Sequence, residues 1–172
     1  ETALVKKQTL LMRGGWVGIP SGHSIFYELI PGANNKATLR LYNLGSGVGK
    51  FDKVVVGLKS KSSPVVEWQG IPFDNLLNPA FATVLHELGH LTVYNGIEQT
   101  QFGPDDIYGS LKEMLMPETE ELVYDTAGKL MTLQRGGFCS WKSILAYLRT
   151  KMDAQSYKIF QCDVKLQALI DK

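Results

Sequence analysis

A chain of 172 residues and 19.1 kDa, 44% hydrophobic and 20% charged, has the size and composition of one globular domain that buries a core without disulfide staples. Disorder, collagen and coiled coil are thereby excluded. With 18 Lys+Arg against 17 Asp+Glu the net charge is +1, which leaves no basic surplus for a nucleic acid or an anionic membrane surface.

The elements segregate into a strand-rich first part and a helix-rich second part, which predicts an α+β fold with a small antiparallel sheet packed by helices. A short apolar run, Leu10–Met12, is followed by a glycine-rich loop from Gly14 to Gly22. Ser24–Ile30 and Thr38–Tyr42 read as a hairpin, joined by the turn chemistry of Pro31-Gly32-Ala33-Asn34-Asn35. Val54–Leu58 and Val65–Trp68 are two further strands, separated by the polar segment Lys59–Ser63.

Asn78-Pro79 reads as N-cap and first residue of a helix that carries Phe81, Val84, Leu85, Leu88 and Leu91 at helical spacing and stops at Asn95-Gly96. A second helix opens at Pro104-Asp105-Asp106, with Ile107, Leu111, Met114 and Leu115 as its buried stripe. Glu118–Leu133 reads as a third. A fourth follows Cys139, with Trp141, Ile144, Leu145 and Leu148 on one side, and a fifth covers Ala154–Ile170. On that last helix Cys162 shares a stripe with Ile159, Leu166 and Leu169 and is expected in the core.

No apolar run approaches the roughly 18 residues of a membrane span, and no basic-then-apolar leader opens the chain. Glu1 and Lys172 read as cuts in a longer chain, so residues 1–172 are expected to be one excised domain. Two cysteines make no disulfide framework and point to a reducing, cytoplasmic setting.

The chemistry concentrates around Gln134-Arg135-Gly136-Gly137-Phe138-Cys139. Two glycines let the backbone turn sharply, and Gly136 and Gly137 are candidates to admit a substrate closely. Cys139 then falls at a helix start, where unpaired N–H groups stabilise a thiolate and can receive an oxyanion. The Gln134 amide is a second candidate oxyanion donor. A thiol nucleophile needs a base and something to orient it. His23 begins the first hairpin strand and Asn43 ends the second, so antiparallel pairing sets them side by side, with the Asn carbonyl placed to fix the imidazole tautomer. Trp16 is a candidate to cover a substrate channel lined by Gly14 and Gly15.

This order of His, Asn at a hairpin end, then Gln and Cys opening a helix resembles the Ulp/adenain-like cysteine proteases, a group that removes ubiquitin-like modifiers and includes effectors of intracellular bacteria. The likeness covers residues 22–47 and 134–149. Ser24 stands where many members carry Trp, and Phe138 and Ser140 flank the cysteine where Asp and Gly are usual. The resemblance implies a papain/Ulp-like fold and a His23–Asn43–Cys139 triad with Gln134 at the oxyanion. It implies a ubiquitin or ubiquitin-like substrate, no cofactor, and action in a cytoplasm, that of a host cell included.

A second motif competes. His86-Glu87-Leu88-Gly89-His90 is an HExxH inside a helix, which sets two imidazoles on one face for zinc with Glu87 as general base. The third ligand is poorly supplied: Val93 and Gly96 stand at the metzincin positions, and Glu113 is the best-spaced acid. The expectation is therefore a thiol peptidase without a metal. A zinc peptidase, an acetyltransferase with the same triad and a non-catalytic interaction domain are the alternatives.

Overall fold

The computed structural model describes residues 7–16, 22–45, 47, 53–56, 59–63, 65–90, 104–122, 131–132 and 139–170, the side chains of 53–62, 86–90 and 121–122 excepted. Strands β1 (Leu10–Trp16), β2 (His23–Pro31), β3 (Lys36–Tyr42), β6 (Val65–Pro72) and β7 (Thr119–Leu122) form one antiparallel sheet in the order β1-β2-β3-β6-β7. A second, three-stranded sheet runs β4 (Lys53–Val56), β5 (Lys59–Ser62), β8 (Met131–Thr132). Among the described residues, five helices complete an α+β fold: α1 (Phe73–Leu77), α2 (Pro79–His90), α3 (Pro104–Leu115), α4 (Cys139–Lys151) and α5 (Ala154–Ile170). Among the described residues no helix is long and apolar enough to cross a membrane.

The β2–β3 hairpin turns on Asn34 and Asn35, both left-handed at φ 54° and 53°, a conformation that asparagine tolerates better than most side chains. Alternation along the strands then builds two cores. One face presents Ile25, Tyr27, Leu29, Leu39, Leu41 and Trp68 to Phe81 of α2 and to Ile107, Tyr108, Leu111 and Leu115 of α3. The other presents Phe26, Tyr42 and Val65 to Ala146 and Tyr147 of α4.

A charged ladder crosses that second face, because Glu28 pairs with Arg40 in register and Arg40 with Glu67. Arg40 Nε lies 2.5 Å from Glu67, Tyr42 donates to Glu28 at 2.6 Å, and Lys151 Nζ meets the buried Glu28 at 2.5 Å from the end of α4. Each buried carboxylate thus has a cation or hydroxyl partner, as burial of charge requires.

Several elements differ from the sequence reading, each for a physical reason. Gly14, Gly15 and Trp16 belong to β1 and not to a loop. Lys59–Ser62 is a strand of its own, paired on both sides. Within the segment read as a third helix, Thr119–Leu122 is instead an edge strand on β6, and Met131–Thr132 joins β5. The stop is visible in hindsight. Met116 is left-handed at φ 46° and caps α3 through its N–H to Lys112, and Pro117 cannot continue the helix. On α4 the buried residues are Ser143, Leu145 and Ala146, while Trp141 is exposed. Cys162 is exposed, not core, together with Ile159, Leu166 and Leu169. Helix α5 docks instead through Tyr157, beneath the Arg149 guanidinium, and through Phe160 against Trp141.

Candidate active site

The hairpin brings His23 and Asn43 together at one end of the large sheet. His23 Nε2 lies 2.8 Å from Asn43 Oδ1, and both side chains are buried. The tautomer follows from a third group. The backbone N–H of Gly45 also lies 2.8 Å from Asn43 Oδ1, and a backbone N–H can only donate. The atom it meets must therefore be the amide oxygen. His23 Nε2 must then carry a proton to donate to that oxygen, and in the neutral ring Nδ1 is left as the proton acceptor. Burial pulls the imidazole pKa below its ordinary 6.5, and the bond to Asn43 offsets part of that. The neutral form, the one able to accept a proton, is the favoured one.

Two rings enclose this pair. Trp16, expected to cover a substrate, is 5% exposed and lies with its ring centroid 4.9 Å from that of His23. Their contact depends on Gly15. A Cβ there would sit 1.9 Å from the His23 carbonyl oxygen, and its φ of +138° is one that side chains avoid. The other ring is Tyr108 of α3, edge-on to Trp16, whose hydroxyl accepts from Asn43 Nδ2 at 2.7 Å. Burial pushes the Tyr108 phenol up to about 12, so it stays neutral.

Cys139 is the first residue of α4 and is half-buried, a free thiol at a helix N-terminus. Two bonds fix its helix along β2. Ser143, one turn further on, donates to the Ser24 carbonyl at 3.0 Å, and Lys151 meets Glu28. Eight helical residues rise about 12 Å and four strand residues about 13 Å, so α4 runs beside β2 in the same direction. Cys139 precedes Ser143 by four residues, about 6 Å or two strand positions. At the rise of ideal elements, that interval corresponds to about the level of Gly22 and His23. Helix α4 lies on the opposite face of the sheet from Trp16 and Tyr108, with Cys139 as its first residue. Among the described residues the thiol has no hydrogen-bond partner.

Gln134, Gly136 and Gly137 lie outside the described residues. The HExxH backbone lies in α2, but the side chains of His86, Glu87 and His90 are outside what is described, and Glu113 is exposed on α3. Among the described residues no three His, Cys, Asp or Glu side chains gather as a metal site. Sequence reasoning missed Tyr108, although its position three and seven residues before Leu111 and Leu115 puts a polar-tipped ring on the buried stripe, where the hydroxyl needs a partner. Comparison of the chain with protein-family models, with curated proteins and with solved structures finds no match.

Proposed function

We propose that the chain is a cysteine peptidase that hydrolyses peptide or isopeptide bonds, with Cys139 as nucleophile, His23 as general base and Asn43 holding the imidazole. The observation that carries this reading is the Asn43 oxygen shared between Gly45 N–H and His23 Nε2, since it leaves Nδ1 as the base. His23 Nδ1 takes the thiol proton and the sulfur attacks the carbonyl carbon. The resulting oxyanion is held by the Cys139 backbone N–H and the Gln134 amide. Collapse breaks the C–N bond, and the leaving amine takes the proton from His23. Water, deprotonated at the same nitrogen, then cleaves the thioester, releasing the acid and restoring the thiol. The substrate class, a ubiquitin or ubiquitin-like conjugate met in a cytoplasm, follows from the resemblance around His23, Asn43, Gln134 and Cys139.

The test is incubation with ubiquitin and SUMO probes bearing a C-terminal electrophile, followed by mass mapping, alongside conjugate cleavage by Cys139→Ala. Labelling at Cys139 and loss of cleavage of at least about 10³-fold with an unchanged melting temperature are expected. Full cleavage by the variant, or activity lost to a chelator and indifferent to iodoacetamide, overturns the reading in favour of the zinc motif.

A further inference from the structure

We propose that Tyr108 is a positioning residue for the His23–Asn43 pair: its hydroxyl anchors the far end of the Asn43 amide and strengthens that amide's oxygen as the acceptor for the imidazole. The catalytic consequence rests on the peptidase reading above; the positioning itself does not.

Among the anchors of the Asn43 amide are two of different origin. Gly45 N–H holds the oxygen from two residues along the chain, and Tyr108 holds the nitrogen from a helix 65 residues away. The local bond decides which end is oxygen. The distant one bears on where the amide points, because the Asn terminal torsion is broad and a bond to the nitrogen narrows it further than the bonds to the oxygen alone.

Tyr108 reaches this position through a second close approach. Gly47 has φ +79°, and a Cβ there would lie 2.4 Å from Pro104 Cβ and 3.3 Å from the Tyr108 ring. The chain after Asn43 therefore seats directly on the first turn of α3, with the phenol against Asn43. Trp16 closes the remaining side, edge-on to Tyr108 and tilted over His23.

The chemistry of the amide supplies the rest. Donation from Nδ2 to the phenol draws electron density from nitrogen to oxygen, so the Tyr108 and His23 bonds reinforce each other through the amide. That matters most when His23 carries a proton and its Nε2–H becomes a charged donor. The phenol suits this role because it is neutral and buried, accepting a hydrogen bond without adding a charge beside the ring.

The test compares the wild type, Tyr108→Phe, and Ile107→Val as a control in which an equally buried neighbour on α3 loses a methyl but no polar group. The primary readouts are NMR detection and solvent exchange of the His23 Nε2–H and the Asn43 side-chain N–H protons. In the wild type both should be protected. In Tyr108→Phe, exchange at both should quicken at least about tenfold and the imidazole pKa should fall further; Ile107→Val should leave both unchanged. In a conjugate-cleavage assay kcat should drop about 5- to 20-fold in Tyr108→Phe with KM within about twofold.

Protection retained in a folded Tyr108→Phe overturns the proposal. So does an Asn43 amide that exchanges as fast as a free one in the wild type, a result that needs no variant to fold. A wild type without peptidase activity whose ring proton still depends on Tyr108 refutes the catalytic reading and leaves the positioning role standing.

Discussion

Removing the Asn43 side chain is the sharpest perturbation of the candidate site. Asn43 is fully buried, and its side-chain hydrogen bonds include three, to His23 at 2.8 Å, Gly45 N–H at 2.8 Å and Tyr108 at 2.7 Å. Asn43→Ala deletes all three and leaves a buried ring N–H and a backbone N–H without their acceptor. At about 0.5–1.5 kcal/mol per bond, with partial relaxation around the vacated volume, the loss is about 2–4 kcal/mol. A domain of this length shifts by about 2–4 °C per kcal/mol, so the melting temperature should fall by about 4–16 °C. Asn43→Asp separates hydrogen bonding from shape. A carboxylate still accepts from Gly45 and His23, and the Tyr108 hydroxyl can turn to donate, so stability near pH 8 should be close to wild type while the imidazole pKa rises beside the new negative charge. Thermal unfolding by circular dichroism and NMR titration of the ring measure both. A drop below 2 °C for Asn43→Ala, or an imidazole pKa that does not rise in Asn43→Asp, refutes the bonded arrangement.

Two further outcomes follow from the same strand end. Gly15→Ala places a Cβ on the His23 carbonyl oxygen and forces an unfavourable φ; it should cost about 2–5 kcal/mol in chemical denaturation and shift the His23 ring resonances, and a change under 1 kcal/mol would contradict the close approach. Because burial depresses the imidazole pKa, the unfolded chain binds more protons at this site than the folded one between the folded pKa and 6.5. The contribution of a neutral His23 is therefore fully present above pH 6.5 and is lost as pH falls through the folded value. His23→Gln should flatten that part of the stability profile, and an identical slope in both proteins is the contrary result.

How much of this was legible depends on the range of each interaction. The His23–Asn43 pair could be read because a hairpin is local: the turn at Asn34-Asn35 and the alternation on either side determine which strand start faces which strand end. Cys139 at a helix start was legible from two glycines before an amphipathic run. Tyr108 was not, because nothing in the pattern says that α3 seats on the loop after Asn43; that placement depends on a missing Cβ at Gly47. The core assignment of Cys162 failed because helical spacing reports an apolar face but not its occupant. The first turns of α5 meet α4 through Tyr157 and Phe160, while Ile159, Leu166 and Leu169 are exposed. The strand at Thr119–Leu122 was masked by charge. Glu120 and Glu121 read as helical, yet charges are common on an edge strand, where they discourage further pairing.

The buried charges acquire a role from this arrangement that stability alone does not explain. A buried carboxylate such as Glu28, held by Lys151 and Tyr42, contributes little net stability over an apolar replacement, since desolvation consumes much of the attraction. What it supplies is register, because no neighbouring position on β2 offers Lys151 the same partner. With Ser143 bonded to Ser24 at the other end, helix α4 is tied to β2 at two points and cannot slide by a residue without breaking both. His23 is itself the first residue of β2. His23 and Cys139 are therefore both referenced to one strand, His23 by covalent continuity and Cys139 through the two polar bonds of its helix. Exchanging Glu28 and Lys151 for well-packed apolar residues would leave the fold intact on these terms while releasing one of the two constraints that hold α4 in register with β2.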